Sequence, residues 1–428
     1  MILVFADSFA AGHASVHGYA RPTTPFLEEL AADAIVFDDC SSQTSWTLSS
    51  MISVFTGQAQ ETHGVLRSDL RLDDQRWVVA EALRERGYET VGFVQNGAVG
   101  VHNGAARGFD RYEVLPYAGR ADEFLRRAGE YLRTPAKGPR FVYVHLAVPH
   151  MPYMPPEDLY AQFQGGNGDP TIKGSIIEVA TVQRDERAPG SPETTALVNR
   201  YDGHVAYADR LIRAVVEAAD AGAGPEGALL IVSSDHGEAF MEHSATGHNT
   251  FVYQEMVHVP LLVRPAPGQL NGLAGTRRQE PVSLLDLAPT LCHLLDVPGP
   301  PDSEGLALFN GNAREDLAAR GLNMSSRYPP AGKAQLVQRA RREGRWKLVV
   351  PRRAEAALLF DLEADPGETR DLAAEHPQRV ARMKDELVRS LALDQRHRAV
   401  AGEVELSPEA EATLRGLGYA DYLDDGER

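Results

Sequence analysis

At 428 residues the chain is long enough for one large domain or two, with a sizeable core in either case. Its composition, 43% hydrophobic and 24% charged, is that of an ordinary folded globular protein. A formal net charge of −17 argues against nucleic acid as a general partner, and obliges any anionic ligand to find a local cationic site.

The opening MILVFADSF has neither a basic n-region nor a small-residue cleavage site, and reads as a first core strand over Ile2–Ala6. Helix Thr24–Asp33, strand Ile35–Phe37, helix Arg76–Arg86, strand Thr90–Gln95, helix Ala121–Leu132 and strand Phe141–Val148 follow. A polar stretch rich in Gly and Pro, Gln164–Glu193, reads as an exposed excursion or lid. Next come the long amphipathic helix Asn199–Ala219, strands Ala228–Ser233 and Val259–Arg264, and helix Ser283–Leu295. This alternation predicts an α/β fold, a mostly parallel central sheet with helices on both faces. Around Pro298–Ser303 the character changes. Short strands Trp346–Val350 and Leu358–Leu362 and helix His376–Leu393 predict a small α+β subdomain, so the expected division is 1–310 and 311–428. The acidic stretch Asp421 to Glu427 reads as a surface tail.

Only Cys40 and Cys292 occur, which excludes a disulfide framework and a thiolate zinc cluster. No apolar run approaches the ~20 residues needed to span a bilayer, so the chain as given reads as cytoplasmic with no membrane partner.

Chemistry concentrates where predicted strands end, the edge at which open α/β sheets bind ligands. Asp7 ends the first strand. Asp235-His236 in SSDHGE end the strand after Ala228-Leu-Leu-Ile-Val232, and read either as half of a metal site or as a helix N-cap. Thr47 lies in TSWTLSSMISVFTG, where a helix opens, and its hydroxyl suits a helix cap, as those of Ser45, Ser49 and Ser50 also do. His145 and His150 flank the end of VHLAVPHMPYMPP, and His243 and His248 follow in MEHSATGHN. Asn96 in VQNG suits a turn or a substrate donor, and His13 and His17 follow Asp7 closely. The basic run RARREGRWK, Arg339–Lys347, with Arg352 and Arg353, reads as a solvated face or as an anion-attracting mouth.

Taken in order, GYARPTTPFLEELAADAIVFDDC, WTLSSMISVFTGQAQETHGV, HLAVPHMPYMPP, YDGHVAYADRLI, SSDHGEAFMEHSATGHNTFVYQEMVHVPLLVRPAPG, VSLLDLAPTLCHLLDV, GRWKLVV and LFDLEADPGETRDLAAEHP carry a resemblance. The chain resembles the sulfatase family of the alkaline-phosphatase superfamily nearly end to end. That resemblance implies one divalent metal ion, with Asp7, Asp235 and His236 as ligands and Thr47 as nucleophile and fourth ligand. It implies that His150 and His248 contact the transferred group or protonate the leaving oxygen. Asn96, His145 and His243 follow as substrate-facing positions, with packing or support as the alternative for His145 and His243.

The chain departs from the family pattern where formylglycine is made. The Cys-x-Pro-Ser-Arg motif is replaced by Thr47-Leu48-Ser49-Ser50-Met51, and Ser8 stands where a second Asp is usual. Threonine cannot form the hydrated aldehyde that expels sulfate, so water or another acceptor must attack the covalent intermediate. The set Asp/Thr/Asp/His is similar to that of the Thr-nucleophile phosphoethanolamine and phosphoglycerol transferases. Its mixed donors favour zinc, with manganese and calcium as alternatives. The leading expectation is a hydrolase or transferase of small anionic phosphate- or phosphonate-type esters. A sulfuric or sulfamic ester enzyme using unmodified Thr47, and an inactive metal-binding scaffold, are the alternatives.

Overall fold

In a computed structural model of the chain, the described residues are 1–115, 121–224, 227–328, 335–352, 356–396, 401–404, 408 and 411–412. The acidic stretch 421–427 and Arg353 lie outside them.

A nine-stranded sheet organises the molecule. Its strands in chain order are β1 (Ile2–Asp7), β2 (Ile35–Ser41), β3 (Glu89–Val94), β4 (Arg111–Val114), β5 (Arg140–Pro149), β6 (Leu230–Ser233), β7 (His258–Arg264), β8 (Arg277–Arg278) and β9 (Val282–Ser283). Across the sheet they run β8-β2-β7-β6-β1-β5-β3-β4, with β9 also paired to β2. β1 is central, parallel to β5 on one side and β6 on the other, with Ile2 opposite both Val142 and Leu230. β7 runs antiparallel to β2 and β6, so the sheet is mostly but not wholly parallel.

The run ILVFAD is buried at every residue because both faces of β1 are covered. Leu3 and Phe5 join one apolar cluster with Leu48, Met51, Ile52 and Phe55 of the helix Thr47–Thr56. Ile2, Val4 and Ala6 join the other, with Leu197, Tyr201, Val205 and Ile212 of the helix Pro192–Ala223. Period-2 alternation therefore feeds two cores, as an α/β layer structure requires.

Several elements differ from expectation. β4 is an added edge strand, half-exposed and weakly apolar, so its sequence carries little strand signal. The long helix begins seven residues early, because the Ser191 hydroxyl accepts from Thr194 N–H and Pro192 occupies the first turn. The excursion 164–193 contains the helix Ile176–Arg184, started by a capping box of Ser175 and Glu178. The helices expected over Thr24–Asp33 and Arg76–Arg86 shorten to Pro25–Leu30 and Val79–Glu85.

The C-terminal part holds a four-stranded antiparallel sheet, β10 (Gly321–Tyr328), β11 (Gln335–Glu343), β12 (Trp346–Pro351) and β13 (Leu358–Asp361), beside the helix Pro377–Arg396. Leu322, Met324, Ala340, Val349 and Phe360 pack against Val252, Tyr253 and Val257, so this sheet is seated on the segment that follows His248. The basic run is not a solvated face: it forms β11, a turn and the start of β12, and four of its five cations are paired, Arg341 with Glu343 at 2.7 Å, Arg342 with Asp39, Arg345 with Asp361, and Lys347 with Glu368 at 2.8 Å, while Arg339 Nε is buried without a hydrogen bond.

Candidate active site

Parallel strand ends bring Asp7 and Asp235 together although 228 residues separate them. After β1 the chain turns sharply at Ser8, which adopts φ 62°. Its N–H donates to Asp235 Oδ1 at 3.1 Å, its Oγ donates to Asp7 Oδ1 at 3.1 Å, and its carbonyl accepts from the Tyr201 hydroxyl at 2.6 Å. Ser8 thus ties the two carboxylates together where a second Asp is usual in the family.

After β6 no helix begins at Asp235, which removes the N-cap reading. The chain instead passes under Glu255, and a Cβ on Gly237 would lie 2.2 Å from the Glu255 carbonyl oxygen, so glycine is required there. Asp235 Oδ1 accepts from the N–H groups of Ser8 and His236, while Oδ2 is buried with no hydrogen bond. His236 Nδ1–H donates to the Gly237 carbonyl at 2.9 Å, which leaves Nε2 as a bare lone pair. That is the outer-shell arrangement imidazole ligands use.

Thr47 is the first residue of a ten-residue helix, every residue of which is buried and whose N-cap, Trp46, offers no side-chain bond. Its Oγ1 is 3.1 Å from His236 Nε2. Ser49 donates to Val65 O and Ser50 to Asp235 O, so among the four neighbouring hydroxyls only that of Thr47 is bonded to His236. The unsatisfied N–H groups of this helix start suit an anion.

The carboxylate and imidazole atoms of this centre stand farther apart than close hydrogen-bond partners do. His236 Nε2 is 3.8 Å from Asp7 Oδ1 and 3.4 Å from Asp235 Oδ2. Tetrahedral ligands at about 2.1 Å from an ion lie roughly 3.4 Å apart. With the orphaned Asp235 Oδ2, these spacings fit a divalent cation. Asp7 is held ionised: burial pushes its carboxyl up, but His150, His145 and His236 pull it well below the carboxylate range.

The remaining histidines divide. The His150 and His248 rings lie 4.8 Å apart, tilted at 58°, and His248 lies 4.5 Å from the His236 ring, so both face the centre. Burial lowers His150, and burial lowers His248 to about 3. His145 is buried with Nε2 3.7 Å from Asp7 Oδ2. Asn96 takes its turn reading, since Oδ1 accepts from Ala98 N–H, and its Nδ2 donates to Asp7. His243 differs from a substrate-facing position: Nδ1 meets Glu255 at 2.7 Å, Nε2 meets the Glu368 carbonyl at 3.1 Å, and the ring stacks on Tyr253 at 3.6 Å. It braces the C-terminal sheet. His13 is bound by Asp202 at 2.7 Å, and His17 is buried beside Asp38 and His258.

Sequence reasoning passed over Glu238, although it ends SSDHGE. It is fully buried, with Oε1 2.9 Å from His248 Nδ1, and burial pushes its carboxyl up to about 8. Near neutrality the pair therefore holds a protonated Glu238 and a neutral imidazole, and the proton on Oε1 satisfies Nδ1. Stability from this raised group is fully present below its ordinary value of 4.5 and is lost as pH rises to about 8. In chelator, wild type should therefore lose melting temperature between pH 5 and 8 more steeply than Glu238→Gln does. Equal slopes in the two proteins would overturn this assignment.

The architecture and the carboxylate–imidazole centre define an α/β ester hydrolase of the sulfatase and alkaline-phosphatase superfamily. The chain belongs to the sulfatase family: residues 1–297 match the family described as Sulfatase, and residues 243–396 match the C-terminal region of N-sulphoglucosamine sulphohydrolase. A ulvan-active sulfatase of Formosa agariphila is 24% identical over 405 residues, covering 87% of this chain and 76% of that protein. The phosphonate monoester hydrolase of Agrobacterium radiobacter shares the fold with TM-score 0.73 at 19% identity, over 95% of this chain and 98% of that one. A protein solved with its substrate D-glucosamine-2-N,6-O-disulfate matches with TM-score 0.73 at 17% identity, over 92% of this chain and 98% of that one. No helix among the described residues is long and apolar enough to cross a membrane.

Proposed function

We propose that the protein hydrolyses phosphate- or phosphonate-type monoesters through a covalent Thr47 intermediate, with one divalent ion held by Asp7, Thr47, Asp235 and His236. The observation that carries this reading is the Thr47 hydroxyl, which stands at the start of a buried, uncapped helix 3.1 Å from a bare imidazole nitrogen. The ion supplies acidity to the Thr47 hydroxyl and polarises the ester oxygen. Zinc suits two carboxylates, an imidazole and a hydroxyl better than calcium, which prefers six to eight oxygens.

The chain's own groups supply the rest. N–H groups at the start of the helix Thr47–Thr56 receive the non-bridging oxygens, and Oγ1, its proton given up to solvent beforehand, attacks the central atom as an alkoxide and leaves as one when the intermediate is hydrolysed. As the ester bond breaks, His248 gives its Nε2 proton to the leaving oxygen and draws the Glu238 proton onto Nδ1. His150, beside His248, flanks the transferred group. Water then attacks the Thr47 ester, and His248 takes the water proton back. Glu238→Gln keeps the imidazole oriented but removes the proton behind it. Turnover of esters with poor leaving groups should fall ~100-fold, while nitrophenyl esters change little.

A second reading has the same centre acting on sulfuric or sulfamic esters with unmodified Thr47. It is favoured by the match of residues 243–396 to an N-sulphoglucosamine sulphohydrolase region. Matched nitrophenyl phosphate, phenylphosphonate and sulfate esters decide between the two, with metal content measured on the same samples. Turnover of the sulfate alone replaces the first reading by the second. A metal-loaded protein that turns over none of the three leaves a binding scaffold.

A further inference from the structure

We infer that His145 is an additional ligand of the ion, so that the site presents two imidazole nitrogens and selects a nitrogen-seeking divalent metal over calcium. The inference rests on the reading of Asp7, Thr47, Asp235 and His236 as ligands.

His145 sits on β5, the neighbour of β1, and is fully buried. Its two nitrogens stand in different surroundings. Nδ1 is 2.5 Å from the Tyr143 hydroxyl oxygen. Nε2 is buried without a hydrogen bond, 3.7 Å from Asp7 Oδ2. That separation is too long for a hydrogen bond and matches the spacing of two ligands across one ion. One donor atom each of Asp7, His145 and Asp235 lies within 4.8 Å of the other two. Two of these three residues carry a buried atom without a hydrogen bond, His145 its Nε2 and Asp235 its Oδ2.

A purely packed histidine accounts for this less well. If Tyr143 O–H donated to Nδ1, the ring proton would sit on Nε2 and face a carboxylate beyond its reach. A buried N–H left so costs about 1–3 kcal/mol. Ligation removes the difficulty, because the proton moves to Nδ1 and is donated to the Tyr143 oxygen. Ligating imidazoles are commonly oriented by such an outer partner. Asp7 would then lie between two imidazoles, His236 on the Oδ1 side and His145 on the Oδ2 side. Two nitrogens, two carboxylates and a hydroxyl suit zinc, cobalt or manganese, whereas calcium binds through oxygen.

The test uses the full chain loaded with zinc. X-ray absorption at the zinc edge should show scattering from two imidazoles. Competition titration should find zinc affinity lowered about 100-fold in His145→Gln and about 10-fold in Tyr143→Phe, as ligand and outer-shell losses do. Asp7→Asn and Asp235→Asn serve as controls for the underlying centre. Loss of zinc in those controls, with wild-type affinity in His145→Gln, overturns the inference and leaves the four-ligand centre standing. Wild-type affinity in the controls overturns both. If His145→Gln does not fold, the absorption spectrum of the unmutated protein decides, and a single imidazole is the overturning result.

Discussion

Thr47→Ala should lower turnover of the best ester at least about 10⁴-fold, equivalent to ~5.5 kcal/mol of barrier. The substitution removes Oγ1 from the helix start and leaves the helix itself intact, because Thr47 does not cap it and its backbone is unchanged. Folding and melting temperature should stay near wild type, which separates a chemical loss from a structural one. Thr47→Ser should recover a substantial part of the activity, since the hydroxyl returns without its methyl group. With phosphorus esters, rapid quenching of wild type should trap one equivalent of label on Thr47. A Thr47→Ala enzyme with full activity would falsify the nucleophile assignment. Trapping of the label on Ser45, Ser49 or Ser50 would move it.

The largest effect on stability is expected at Lys347. Its ammonium is fully buried, 2.8 Å from the equally buried Glu368 carboxylate and 3.2 Å from Gln254 Oε1. Burial pushes the lysine down and the glutamate up, and each partner is the chief opposing influence on the other. Lys347→Ala leaves the Glu368 carboxylate alone in a dry interior, and such losses cost about 3–5 kcal/mol. The double variant Lys347→Met with Glu368→Leu should recover most of that, because no unpaired charge remains. Denaturant unfolding of the two singles and the double measures the coupling. A single-variant loss below about 1 kcal/mol would show that water reaches the pair. The consequence reaches the active site, because the Glu368 carbonyl bonds His243 and its Oε2 accepts from Gln254 N–H at 2.6 Å. These contacts anchor the segment that carries His248, so KM should rise in the single variants even where the protein remains folded.

Much of this was legible along the chain because it is written in local pattern. The apolar strands announce themselves, since a strand covered on both faces must be apolar at every position. Asp7 and Asp235-His236 are legible because ligands gather where parallel strands end. The absence of Cys-x-Pro-Ser-Arg is likewise a property of the sequence alone, and it limits the chemistry whatever the fold. Other features depend on partners distant in sequence. Whether Asp235 caps a helix was decided by the turn at Gly237, which runs against the Glu255 carbonyl and starts no helix. The basic run gave a misleading signal, because composition records charges and not the acids that strand pairing and packing set beside them. Glu238, Tyr143 and the bare nitrogen of His145 acquire meaning only when β1, β5 and β6 lie side by side. By itself the sequence determined a mostly parallel sheet, the strand ends at which its candidate residues gather, and a threonine in place of the modified cysteine. The tertiary structure decided which buried atoms lack partners there, because hydrogen-bond satisfaction is a property of neighbours in space.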